Sequence, residues 1–287
     1  MNREKLIREL IKVPPPIQPD LVQCAKGSSI RSSVQIWNDK NIKNTAHFVG
    51  FSTRADIPGS IRLYPDDCLK MFFIKGEGRR ESQTLVVGAN STVTTMNVYP
   101  ETEYFMFVPY SHLPLDLAVH PDELLNRQAE AKDVIASNSD FLKCIDEIGE
   151  EEDFEKKICI LTRFAQNVTR PSYSPHLSEY CALAMCLSNE RFMMHDIERF
   201  TGYSDRYCRE EFKKSYGVSI KRYDRILRFQ RVLRDWINID GADPNYVIMK
   251  YGYYDQSHFI KEFKEFTEST PLQFKASINK HVLHPGH

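Results

Sequence analysis

The sequence predicts an α+β protein. A β-rich, barrel-like N-terminal domain with trailing helices precedes an all-α C-terminal domain, in which a long helix joins two helix-turn-helix units. Three observations predict it. Between about 32 and 110, short runs rich in β-branched and aromatic residues alternate with turn residues. After Pro114 the apolar spacing becomes helical. The segment 193–223 then recurs in similar form at 243–274.

Residues 1–23 form an N-terminal segment: a short helical pattern followed by Pro14, Pro15, Pro16 and Pro19. The run Pro14–Pro16 must be extended, because each ring fixes φ and removes a donor. SSVQIW, HFVGFST, SIRLY, LKMFFI, TLVVG, TVTTMNVY and YFMFVPY follow as strands. Breaks at Ile57-Pro58-Gly59, Lys75-Gly76-Glu77-Gly78 and Gly88-Ala89-Asn90 separate many of them. Short strands at this spacing indicate a barrel or a sandwich. From about 121 to 168, Leu124, Leu125, Ala129, Val134, Ile135, Phe141, Leu142 and Ile145, then Phe154, Ile158, Leu161 and Phe164, recur at helical spacing. Residues 24–170 are assigned to one sensor or dimerisation domain. Arg170-Pro171-Ser172-Tyr173-Ser174-Pro175 is the expected linker, and 176–280 the C-terminal domain.

Composition narrows the function class. At 41% hydrophobic and 27% charged residues the chain is ordinary for a globular protein. No run approaches the roughly 18 apolar residues of a membrane helix, and MNREKLIREL lacks a secretory apolar core. A cytoplasmic location without membrane contact is therefore expected. The seven cysteines are odd in number and contain no CxxC, so buried free thiols are expected rather than disulfides or zinc. The net charge of −1 is unevenly distributed. From His176 onward, 17 Lys and Arg stand against 15 Asp and Glu; the remainder has 21 against 24. Lys213, Lys214, Lys221, Arg222, Arg225, Arg228, Arg231 and Arg234 are opposed in their stretch only by Asp224. Such a stripe can hold phosphates; the alternative is a solvated helix face.

MMHDIERFTGYSDRYCREEFKKSYGVSIKRY and DPNYVIMKYGYYDQSHFIKEFKEFTESTPLQF form the repeat, and the expectation is that they align without gaps at the core. Ile197 matches Val247, Gly202 matches Gly252, Tyr203 matches Tyr253, and Phe212-Lys213 matches Phe263-Lys264. In each copy a short helix ends at a glycine able to take the left-handed conformation. Ser204 and Asp255 cap the next helix. Cys208 and Phe212, and Phe259, Phe263 and Phe266, fall on its inner face. Asp205, Arg206, Arg209 and Glu210, and Gln256, Ser257, His258 and Lys261, fall on the polar outer face. A polar helix beyond a tight turn can enter a major groove; a pair of helical hairpins that bind nothing is the alternative.

GYYDQSHFIKEFKEFTESTPLQF is similar to the signature of the AraC/XylS family of bacterial transcription regulators: Gly, aromatic, x, Asp-x-Ser-x-Phe-x-Lys/Arg-x-Phe-Lys, then Gly-x-Thr-Pro and an aromatic. GYSDRYCREEFKKSYGVSIKRY resembles that family's first helix-turn-helix, and RILRFQRVLRDWI its joining helix. The resemblance covers about Phe192 to Ser277. It implies double-stranded DNA and RNA polymerase as partners, no cofactor and no enzymatic activity, with scope for a small-molecule effector and a homodimer. It departs at Glu198 and Ile248, where alanine is usual, at Glu268, where glycine is usual, and at acidic Glu210. LYPDDCLKMFFI, LVVGANS and YFMFVPYSHLPLDLAVHPDELLN resemble, more weakly, a sensor-like domain of some members. There Asp67 replaces a glycine, Lys70 an aspartate and Val108 an arginine; no effector follows from it.

On this reading Ser204, Asp205, Arg206, Arg209, Glu210, Lys213, Gln256, Ser257, His258, Lys261 and Lys264 face DNA. Arg206 and Arg209 suit guanine and Gln256 suits adenine. Lys213, Lys261, Lys264 and the helix N-terminal amides suit phosphate. The two helices would enter successive major grooves about 34 Å apart. In the N-terminal domain, Asp66 and Asp67 read as a cation or effector site, or as a solvated turn. His47, His112 and His120 match no standard metal spacing. Phe72, Phe73, Tyr104, Phe105 and Phe107 read as an effector cavity or as core, some buried and some exposed by alternation. His281, His284 and His287 read as a solvated tail. Two further alternatives are an interaction module without DNA binding and a DNA-modifying enzyme using Cys68. Against the latter, Asp66 and Asp67 would raise a thiol pKa.

Overall fold

The computed structural model describes residues 16, 18–25, 30–39, 42–57, 59–76, 82–109, 118–135, 139–168, 185, 202–238 and 244–279. The linker expected at 170–175, the helix expected before Gly202, His112, Cys181, Cys186 and the C-terminal histidines lie outside them.

All seven expected strands form. Helix α1 (Pro19–Cys24) leads into β1 (Arg31–Asp39), β2 (Ile42–Ser52), β3 (Ser60–Leu63), β4 (Lys70–Gly76), β5 (Gln83–Val87), β6 (Thr94–Asn97) and β7 (Thr102–Pro109). A 3-10 turn (Pro121–Leu124) and an eighth strand, β8 (Gln128–Glu130), precede α2 (Ala131–Val134), α3 (Ser139–Glu150) and α4 (Phe154–Val168). Strand β8 corrects the helical reading of that stretch: its three residues pair with Leu85–Val87 at the sheet edge. The six-stranded antiparallel sheet has the order β1-β2-β7-β4-β5-β8, and β3-β6 form a second, two-stranded sheet. The sheets do not close into a barrel.

Both faces of the large sheet are covered, which explains the unbroken apolar runs in β4 and β7. Met71, Phe73, Phe105 and Phe107 face α3 and α4, packing with Cys144, Ile148, Phe154, Ile158, Leu161 and Phe164. Phe72, Ile74, Tyr104, Met106 and Val108 face Ile61, Leu63 and Met96 of the small sheet. The period of two is preserved, yet neither parity meets solvent. Phe72, Phe73, Tyr104, Phe105 and Phe107 are consequently all buried, correcting the expectation that some would be exposed. Each such side chain contributes about 2 kcal/mol of transfer free energy.

Asp66 is neither a cation site nor a solvated turn. It is fully buried, and its carboxylate accepts Lys70 Nζ at 2.7 Å, Gln18 Nε2 at 2.6 Å and the Cys68 amide at 3.2 Å. Burial raises its pKa despite Lys70, the residue that departs from the sensor-like pattern. Gln18 also brackets Tyr64, accepting from its amide and donating to its carbonyl, so residues 64–68 are held from both sides. Cys24, Cys68, Cys144 and Cys208 are buried free thiols as expected, whereas Cys159 is exposed. Burial, then Glu147, pushes the Cys144 thiol up to about 12.

The C-terminal part comprises α5 (Asp205–Tyr216), α6 (Ile220–Asn238), α7 (Pro244–Lys250), α8 (Gln256–Thr267) and α9 (Pro271–Asn279). Phe229, Leu233 and Trp236 of α6 interlock with Val247, Phe259, Phe263, Phe266 and Phe274. Trp236 Nε1 donates to the Pro271 carbonyl at 3.0 Å, tying α9 to α6.

Two stability predictions follow from these environments. Buried His47 on β2 has its pKa lowered to about 4, first by desolvation and then by the charge of Arg234. The unfolded chain binds this proton near pH 6.5 and the folded chain only near pH 4. Stability should therefore fall by about 3 kcal/mol as pH drops through that window. His47→Gln should flatten this slope in urea melts at stepped pH, and an unchanged slope would remove the assignment. At the end of α8, Glu268 takes a left-handed conformation, φ 60°, where the first copy has Gly217 at φ 70°. Glu268→Gly should raise stability by about 1 kcal/mol and increase Tm; a lower Tm would contradict the strain.

Candidate nucleic-acid interface

Helices α5 and α8 both begin as their sequence requires. Gly202 and Gly252 have φ of 73° and 67°. Ser204 Oγ accepts from the Tyr207 amide, and Asp255 Oδ1 from the His258 amide at 2.7 Å. These bonds satisfy amides that a helix start leaves open. The copies do not, however, align without a gap. The glycines are 50 residues apart, at 202 and 252, but the caps are 51 apart, at 204 and 255. The extra residue is Tyr254. Tyr253 turns inward to the core, and Tyr254 is left 91% exposed at the head of α8.

The expected inner residues Cys208, Phe212, Phe259, Phe263 and Phe266 are buried. Ser204, Arg206, Arg209, Glu210 and Lys213 on the first unit are exposed, and Asp205 is half-buried. Gln256, Ser257, His258, Lys261 and Lys264 on the second are all exposed. The two arginines are already engaged on their own helix: Arg206 Nε donates to Glu210 at 3.0 Å, and Arg209 Nε to Asp205 at 2.6 Å. Exposed pairs of this kind are worth under about 1 kcal/mol, so a stronger acceptor can replace the acid. The sequence reading missed Tyr203, Tyr207 and Tyr254 as exposed groups beside these helix starts. The tyrosine before a cap was a visible signal, but which one faces out depended on the turn.

The basic stripe divides. Lys213, Lys214 and Lys221 are exposed, but Arg222, Arg225 and Arg228 turn towards α8 instead of solvent. Arg225 and Arg228 reach Glu262, 2% exposed, and Arg222 reaches Glu265 one turn along. Arg228 Nη2 donates to both Glu262 oxygens at 2.8 Å. Arg225 Nε adds a bond at 2.8 Å and the Tyr253 hydroxyl another at 2.9 Å. Arg222 and Arg225 also pair with Glu265, holding its pKa below the ordinary range despite the opposing effect of burial. The Arg228 guanidinium lies 4.7 Å from the Tyr253 ring centroid and that of Arg222 4.5 Å from Phe266, adding cation–π attraction. Burial, then the Glu262 carboxylate, holds the Tyr253 phenol above its usual range. The phosphate-binding expectation for these three arginines is thereby corrected: Arg225 and Arg228 supply the donors that the buried Glu262 carboxylate requires, and Arg222 is engaged by Glu265.

Among the described residues, no group of three or more His, Cys, Asp or Glu is placed to hold a metal, and no helix is long and apolar enough to cross a membrane.

Comparison with known proteins agrees with the C-terminal geometry. Residues 197–277 match a family model described as a helix-turn-helix domain. That stretch is the unit expected from the AraC/XylS resemblance, and it supports a role in DNA-binding regulation. No curated protein matches the chain significantly. Among solved structures, the C-terminal domain of the response regulator yesN from Fusobacterium nucleatum is 20% identical, covering 34% of this chain and 95% of that one, TM-score 0.32. The C-terminal domain of AraT from Geobacillus stearothermophilus is 16% identical, covering 37% and 88%, TM-score 0.34. ToxT from Vibrio cholerae is 11% identical, covering 89% and 100%, TM-score 0.45. Likeness at this level does not by itself fix function.

Removing the Glu262 charge should release α8 from α6. Glu262→Gln should lower stability by about 3 kcal/mol, read as a shifted urea midpoint; an unchanged midpoint would show that the arginines do not depend on this carboxylate.

Proposed function

We propose that the chain is a cytoplasmic, sequence-specific transcription regulator of the AraC/XylS type, in which α5 and α8 read successive major grooves of double-stranded DNA. The observation that carries this reading is the pair of capped helices, each behind a left-handed glycine and each presenting an exposed polar face. Arg206 and Arg209 read guanine from α5, and Gln256 reads adenine from α8. Lys213, Lys261 and Lys264 hold phosphates, joined by the open amides at the helix starts. Ser204, Asp205, Glu210, Ser257 and His258 complete the two faces. Glu210 and Asp205 hold the arginines extended until DNA displaces them, and the lysine contacts to phosphate make binding salt-dependent.

Residues 24–170 form the sensor or dimerisation part and 176–280 the DNA-binding part. Control by an effector requires that it bind two states of the chain with different affinity; contact with RNA polymerase and pairing with a second copy complete the proposal. The enzymatic alternative loses its nucleophile, because Cys68 is buried with its thiol 3.5 Å from Asp67.

Arg206→Ala and Gln256→Ala should each weaken binding by about 1–3 kcal/mol and relax preference at one base position. Binding-site selection from random DNA, followed by footprinting of the purified variants, measures both. Unchanged sequence preference in the two variants would reject the assignment.

A further inference from the structure

The two reading helices are held by different parts of the molecule. Helix α8 is fastened from within the C-terminal domain, by Glu262 to Arg225 and Arg228 of α6. Of the N-terminal residues in that core, buried Tyr64 meets Phe274 on α9 edge-on at 5.2 Å, and Val93 packs as a partly buried neighbour. Helix α5 has no counterpart of the Glu262 lock among the described residues. Its small core of Cys208, Phe212, Val218, Ile220, Tyr223 and Leu227 packs against Leu125 of the N-terminal domain.

Three more contacts hold the same end. Tyr223 donates its hydroxyl to Asp67 Oδ2 at 2.7 Å. Arg222 donates to the Ser91 carbonyl. Gly217, which closes α5, lies so near the 3-10 turn that an added Cβ would be 3.0 Å from Asp122 Cα. The acceptor Asp67 sits in the 64–68 stretch stiffened by the buried Asp66–Lys70 pair at 2.7 Å. A cavity of only about 10 Å³, lined by Asp67, Ser91, Leu125, Tyr216 and Tyr223 among others, lies on this seam, so the contact is closely packed as well as directional.

We infer that the N-terminal domain acts selectively on the first reading helix: Leu125 and the 3-10 turn brace α5, and Asp67 braces it through Tyr223 of α6, while α8 is braced from α6, by Arg225 and Arg228 at Glu262 and by Arg222 and Arg225 at Glu265. A change in the N-terminal domain would thus reach one half of a bipartite DNA site. This last consequence rests on the proposed function; the brace itself does not.

Peptide-resolved hydrogen exchange on the full chain tests the brace without DNA. Tyr223→Phe keeps the ring and deletes the bond to Asp67, and Leu125→Ala trims the packing. Each should speed exchange in 205–216 by about tenfold or more and leave 256–267 unchanged. Glu262→Gln should do the reverse. Equal acceleration of both helices by Tyr223→Phe and Leu125→Ala, or none in 205–216, overturns the inference. Footprinting then reads the DNA consequence: the same two variants should lose protection over the α5 half-site only. Loss over both halves or neither overturns selective control. If the unmodified chain protects no DNA while the exchange pattern appears, the brace stands and the DNA-binding proposal fails.

Discussion

A single buried carboxylate organises the C-terminal domain. Burying the Glu262 carboxylate is costly unless donors surround both oxygens. It finds them in Arg225, Arg228 and the Tyr253 hydroxyl. Because Glu262 points inward, helical geometry turns Gln256, Ser257, Lys261 and Lys264 outward. The outer face of α8 is thus set by the inner charge. The same bonds pin α8 to α6, whose aromatic side carries the rest of the core. The aromatic and aliphatic side chains provide the burial energy; the charged cluster selects one rotational setting of the helix.

The N-terminal domain solves a related problem with another buried pair. Its large sheet is covered on both faces, so its central strands carry no polar parity and offer little to specify a surface. Specificity passes to the loops at the sheet's margin, above all 64–68, where Asp66, Lys70 and Gln18 fix the backbone. That loop presents the Pro65 carbonyl to Gln230 at 2.6 Å and the Asp67 carboxylate to Tyr223. In each domain, then, a polar group that is costly to bury determines what the neighbouring residues can present.

Much was readable beforehand. The seven strands, the left-handed glycines, the caps at Ser204 and Asp255 and the inward phenylalanines all follow from spacing within a few residues. The outward set of Arg206, Arg209, Gln256 and Lys261 followed from the same periodicity. Less visible were features whose cause lies elsewhere in the chain. β8 has only three residues and exists because Leu85–Val87 offers an open edge. Phe72 and Phe105 are both buried because helices cover one face of the sheet and β3-β6 the other. Tyr253 and Tyr254 differ in fate because one of them reaches Glu262.

By itself the sequence determined that the seven strands and the capped helices α5 and α8 exist and which side of those two helices is apolar, since these depend on residues two apart in a strand and three or four apart in a helix. Tertiary structure decided what the charges do. Arg225 and Glu262 are 37 positions apart, and Asp67 and Tyr223 are 156 apart. No local rule can say whether an arginine stripe will meet a phosphate or a carboxylate, because that depends on which charge the fold buries beside it.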